Sequence, residues 1–135
     1  MKLPFAQYCN AKRYTLVTLM LLLLNGCDGN QSQATVSYTK DIQPIIKQHC
    51  VECHVEGGAG TVASGLNLSS YEELVRGTKF GPIIKAGDST SSTLVILIEG
   101  RADASINMPH GNRPALSHQD TQKIRQWIDD GALNN

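Results

Sequence analysis

Residues 50–54 read Cys50-Val51-Glu52-Cys53-His54, and the reading of this stretch decides what the rest of the chain must build. Two thiols stand three residues apart, with an imidazole directly after the second. An even cysteine count in an exported protein ordinarily suggests disulfides, but the spacing here points elsewhere. A structural zinc site needs four protein ligands. The ligand-type residues downstream, His110 and His118, have seven residues between them, which is not the tight histidine pair of zinc modules. A thioredoxin-like redox pair belongs in a βαβ pattern and has no use for the histidine. Covalent haem attachment uses all three side chains. Two thiols add across the two vinyl groups of a porphyrin, so they must follow one helical turn along its edge, and the next residue then turns its imidazole to the iron. The motif predicts one covalent haem c, attached at Cys50 and Cys53 with His54 as proximal iron ligand.

Upstream of the motif, the N-terminus reads as an export signal. Lys2, Lys12 and Arg13 precede the apolar run TLVTLMLLLL at residues 15–24, and no acidic residue occurs before Asp28. So short a run does not span a hydrocarbon core, which takes about 20 residues. Buried as a helix apolar on every side, it would need a larger core than 135 residues provide. Leu24-Asn25-Gly26-Cys27 resembles the lipobox of bacterial lipoproteins, with Asn25 where a small or aliphatic residue is usual. That resemblance implies lipidation of Cys27 and anchoring by several acyl chains. Asp28 resembles the inner-membrane retention signal of enteric lipoproteins. Cys9 then falls in the discarded segment. The expected organisation is a signal peptide at 1–26, a polar tether at 27–37 and one domain at 38–135.

The whole chain carries twelve basic and twelve acidic residues. Without residues 1–26 it keeps nine basic against twelve acidic, a net of −3. Neither balance suits a nucleic-acid surface.

The expected domain is all-α, with about four short helices, long loops and no convincing strand. Thr39 or Asp41 caps the first helix, Pro44 sits early enough to lose no hydrogen bond, and Ile42, Ile45, Ile46 and His49 share one face. EGGAGTVASG at residues 56–65 reads as a glycine-rich loop packing under the haem. Ser69 with Glu72 forms a capping box for a second helix ending at Gly77. A third covers residues 93–99, with Leu94, Leu97 and Ile98 at helical spacing before Gly100. Ser117 with Asp120 opens the last, in which Ile124, Trp127 and Ile128 make the buried stripe and Gly131 ends it. So little apolar surface per residue leaves a core that a covalent haem would complete.

After removal of the signal, Met108 is the one methionine left. It lies in INMPHGNRPAL at residues 106–116, an irregular loop far along the chain from the cysteines. A lone methionine is commonly a core filler. A thioether brought from a loop on the opposite side also completes six-coordination and raises the potential. Met108 is therefore the expected distal ligand, with His110 its competitor. His49 is too near Cys50 to reach the far face, and His118 belongs to the exposed first turn of the last helix. Arg113, Lys79 and Lys85 are candidates to pair with the propionates.

From Tyr38 onward the chain resembles class I cytochrome c domains, most closely the short type first described in planctomycete proteins. The resemblance rests on Tyr38-x-x-Asp41-Ile42-x-Pro44-Ile45, the Cys50-to-His54 motif, Gly65-Leu66-x-Leu68, Gly81-Pro82, Gly87-Asp88, Met108-Pro109 and Trp127-Ile128-x-x-Gly131-Ala132. It implies an all-helical fold, haem at Cys50 and Cys53, and iron held by His54 and Met108. It also implies a proline carbonyl, here that of Pro82, as acceptor for the second N–H of His54. In planctomycete proteins the domain is usually joined to larger regions, whereas here it stands alone, which favours a carrier over an internal relay. The leading expectation is one-electron transfer with redox partner proteins in the periplasm or membrane, not catalysis. A haem enzyme or gas sensor with an open distal site is the alternative, and a structural lipoprotein with an incidental motif the third.

Overall fold

The computed structural model describes residues 35–135. The expected signal, Cys9, Cys27 and Asp28 lie outside the described residues. A π-helical turn, Tyr38–Ile42, leads into α1, Gln43–His49. Next come α2, Ala59–Ser64; α3, Tyr71–Arg76; α4, Thr93–Ile98; and α5, His118–Asp129. The described residues form no strand, only an isolated bridge between Thr78 and Gly81. None of their helices is long and apolar enough to cross a membrane. The all-α expectation holds with one helix more than anticipated.

The first element begins earlier than its sequence suggests. Ser37, in extended conformation, is the cap: its hydroxyl accepts the Lys40 N–H, and its own N–H donates to Asp41 Oδ2 at 3.0 Å. Asp41 thus supplies the return half of the box rather than the cap itself. Packing reaches back to Val36 and Ser37, which the sequence assigns to the tether. Proline has no N–H and crowds the carbonyl four residues before it. A wider π turn directly ahead of Pro44, with the Gln43 N–H on Tyr38 O, accommodates both features.

The extra helix, α2, lies inside the stretch read as a glycine-rich loop. Its residues are poor at nucleating a helix alone, but the Cys53 carbonyl receives the N–H groups of Gly60 and Thr61 at 2.9 and 3.2 Å. Two orphan donors of the first turn are satisfied from outside the helix. Gly65, at φ 77°, closes it in the left-handed region where glycine is at ease. The cap of α3 is Ser70, whose hydroxyl accepts the Glu73 N–H at 3.2 Å, one residue along from the expected pair. The Ser117 cap of α5 is as the sequence indicates, its hydroxyl accepting the Asp120 N–H at 3.0 Å.

The core is built where α5 packs against the π-helical turn and α4. Ile124, Trp127 and Ile128 are buried from α5, Tyr38, Ile42, Ile45 and Ile46 from the N-terminal segment, and Val95 and Ile98 from α4. On α4 the face is turned slightly from the expected one, so Val95 rather than Leu97 lies deepest. Tyr38, Tyr71 and Trp127 form an aromatic cluster with centroids 5.1 to 6.4 Å apart. Its polar ends are satisfied, Tyr71 Oη donating to Ala132 O at 2.8 Å and Trp127 Nε1 to Leu133 O at 2.9 Å. Asn135 closes the ring by accepting the N–H groups of Tyr38 and Thr39.

Glu99 ties α4 to α5. It accepts from Arg125 Nη1 at 3.0 Å and from Arg101 Nε at 2.7 Å. Partial burial works against the carboxylate, but the two guanidiniums outweigh it and hold its pKa below the usual glutamate value. A carboxyl with a depressed folded-state pKa stabilises the fold above the unfolded pKa, about 4.3, and loses that contribution as pH falls. Glu99→Gln is expected to lower stability by about 1 kcal/mol at pH 7 and by progressively less below pH about 4. Urea denaturation of both proteins at the two pH values checks this.

Candidate functional site

The Cys50-to-His54 stretch is the turn that leaves α1. The N–H groups of Cys53 and His54 bond the Cys50 carbonyl at 3.2 and 3.1 Å, so the thiols share one tight turn. Both cysteines are free and half-buried. Burial, then the neighbouring Cys53, push the Cys50 thiol up to about 11. A redox-active CxxC needs the opposite, a nucleophile with a lowered pKa. Among the described residues no three histidine, cysteine or carboxylate side chains converge on a point that would hold a metal ion.

His54 is buried, 7% exposed. Its Nδ1 lies 3.2 Å from the carbonyl oxygen of Leu66. A carbonyl only accepts, so Nδ1 carries the proton and Nε2 keeps its lone pair, the tautomer a metal ligand needs. The expected acceptor, Pro82, does not have this role; Pro82 is exposed, and the segment behind the imidazole is 66–68. That segment holds the residue twice, because the Leu68 N–H also donates to the His54 carbonyl at 2.7 Å. Gly60 of α2 lies against the ring. A Cβ there would come within 2.6 Å of His54 Cε1 and 2.8 Å of both ring nitrogens. Neither contact was legible beforehand. The acceptor is a backbone group, and Gly60 is one glycine of a run whose members look alike in sequence.

Met108 is half-buried and packs against the core. Its N–H donates to Leu97 O at 3.0 Å, fastening the loop to α4. The loop bonds itself: Asn107 Oδ1 accepts the Ala102 N–H and its Nδ2 donates to Ala102 O, each at 3.1 Å. Farther on, Arg113 reaches Glu52 within the cysteine motif at 2.5 Å. This ion pair joins the segment of residues 106–116 to the cysteine turn. His110 and His118 are exposed and His49 is half-buried. Each propionate candidate has a protein neighbour: Arg113 has Glu52, Lys85 has Asp88 at 2.8 Å, and Lys79 lies 5.2 Å from the Phe80 ring centroid.

The donor set fits a c-type haem. Two unpaired thiols on one turn can take thioether bonds, the adjacent imidazole presents Nε2, and a thioether stands on a loop linked to that turn. An all-α domain with these features has the donor set of a cytochrome c domain. Residues 50–110 match the family model described as Planctomycete cytochrome C, which supports a haem-binding cytochrome c domain of the planctomycete type. No curated protein and no solved structure matches the chain.

Gly60→Ala sets two effects against each other. Alanine in a helix gains about 0.5–1 kcal/mol over glycine, whereas overpacking against a pinned ring costs about 1–3 kcal/mol. The pinning by Leu66 decides the sign. The variant is expected to lose about 1–2 kcal/mol, read from the urea midpoint, and to accumulate less covalent haem per polypeptide.

Proposed function

We propose that this protein is a one-electron carrier with a single haem c, bound through Cys50 and Cys53 and ligated by His54 Nε2 and Met108 Sδ. The iron of such a group cycles between ferric and ferrous. The protein's part is to hold both ligands still, so that little rearranges when the charge changes. The observation that carries the proposal is the linkage of the Met108 loop to the proximal turn. Met108 is anchored through Leu97 on one side, and Arg113 meets Glu52 a few residues later. A thioether held in this way favours a closed, six-coordinate iron over the vacant position that peroxidases and gas sensors use. Burial favours Met108 over His110, since the methionine packs against the core and the histidine is exposed.

The sequence upstream supports export and a lipid anchor at Cys27, and Asp28 supports retention at the inner membrane. On this reading the domain works in the periplasm or at the cell surface, exchanging electrons with protein partners rather than transforming a substrate.

Protein made with a cytochrome c maturation system is expected to give a reduced pyridine haemochrome spectrum, with pigment that resists acidified organic solvent. Cys50→Ala with Cys53→Ala should abolish haem retention. Met108→Ala should keep the haem, lower the potential by on the order of 0.1 V, and bind carbon monoxide in the ferrous form. The carrier reading fails if the wild-type protein binds carbon monoxide as readily as that variant. An unchanged spectrum and potential in Met108→Ala would move the distal ligand to His110.

A further inference from the structure

The carbonyl that receives the His54 N–H receives a second donor. Thr61 Oγ1 donates to Leu66 O at 2.7 Å, against 3.2 Å for His54 Nδ1. We propose that Thr61 is a positioning residue that sets the electron-donating strength of His54 by sharing its hydrogen-bond acceptor; this inference rests on the haem reading above.

A carbonyl oxygen has two lone pairs but one pool of electron density. Each donor that draws on it makes it a weaker acceptor for the other, the reverse of the strengthening found when hydrogen bonds run in a chain. The hydroxyl has the shorter contact and the imidazole the longer. A weaker bond at Nδ1–H leaves the imidazole less imidazolate-like, and a less basic proximal ligand favours ferrous over ferric iron. Thr61 therefore holds the potential up.

Its place in the fold suits the role. The Thr61 N–H donates to the Cys53 carbonyl at 3.2 Å, and its carbonyl accepts the Gly65 N–H at 2.7 Å. The residue that carries the hydroxyl is thus held by backbone hydrogen bonds through both its N–H and its carbonyl. Gly60, the residue before it, lies against that ring, so α2 supplies both the steric wall and the competing donor. The sequence offers no hint of this, because Thr61 sits in a stretch that reads as a loop.

Thr61→Val removes the hydroxyl and keeps the shape and β-branching. With the competitor gone, the His54 bond should strengthen. One hydrogen bond is worth about 1 kcal/mol net, and only part of that change reaches the iron. The expected shift is about threefold toward ferric at fixed ambient potential, which at 59 mV per tenfold for one electron is about 30 mV lower. The His54 Nδ1 proton resonance of the reduced holoprotein should move downfield, as it does when a hydrogen bond shortens. Thr61→Ser, which restores the hydroxyl, should return both readouts to wild type. Redox titration and proton NMR of the wild-type, Thr61→Val and Thr61→Ser holoproteins make the test.

A potential and a resonance unchanged in Thr61→Val overturn the proposal, even if stability falls, since that is what a purely structural threonine would do. A raised potential overturns its sign. If Thr61→Val does not fold, Thr61→Ala is measured in its place against the serine variant, with the same expected direction. Absence of covalent haem from the wild-type protein is a different result, and it overturns the underlying haem reading instead.

Discussion

A backbone carbonyl at Leu66 settles which nitrogen of His54 is free, and much of the domain is arranged to keep that contact. An imidazole left to itself exchanges tautomers and rotates; one whose Nδ1–H is held by a fixed acceptor presents a single lone pair in a single direction. The hold is built from chain folded back on itself. Residues 58–68 rise through α2 and return, so that the Cys53 carbonyl caps the helix while Leu68 bonds the His54 backbone. The turn carrying the thiols and the segment carrying the acceptor are therefore tied together by backbone hydrogen bonds.

The other half of the domain supplies rigidity at a distance. Trp127 and Tyr38 are almost wholly buried and lie 5.6 Å apart, locking α5 across the first helical segment from which the cysteine turn emerges. Helices of six or seven residues have little stability alone, so their order must come from tertiary contacts. A domain of this size has a modest apolar core, and in the proposed carrier a covalently held porphyrin would add apolar contact.

The loop of residues 106–116 is held in a looser and more polar way. The loop bearing Met108 is fastened by backbone to α4 and by an ion pair, Arg113 with Glu52, to the motif itself. Both charged groups are well exposed, so the pair fixes direction more than it adds stability. A hydrogen-bonded loop of this kind can deliver a soft, neutral ligand without a helix behind it, and in the proposed carrier that is all the distal side must do.

What the sequence determined by itself was everything that depends on local pattern. The Cys50-to-His54 spacing is a covalent requirement, the Ser117 cap and the Ile124–Trp127–Ile128 stripe obey helical periodicity, and the shortage of strand signals leaves an all-α domain. Local pattern also came within one or two residues at Ser70 and Ser37, where several adjacent residues could serve as caps and the packing of the first turn chose among them. Tertiary structure alone decided the rest. It made a helix of residues 59–64 by lending them the Cys53 carbonyl, put Leu66 rather than Pro82 behind His54, and set Gly60 against the ring. Those choices turn on backbone groups, which are the same at every residue; no side chain advertises which carbonyl will be near when the chain has folded.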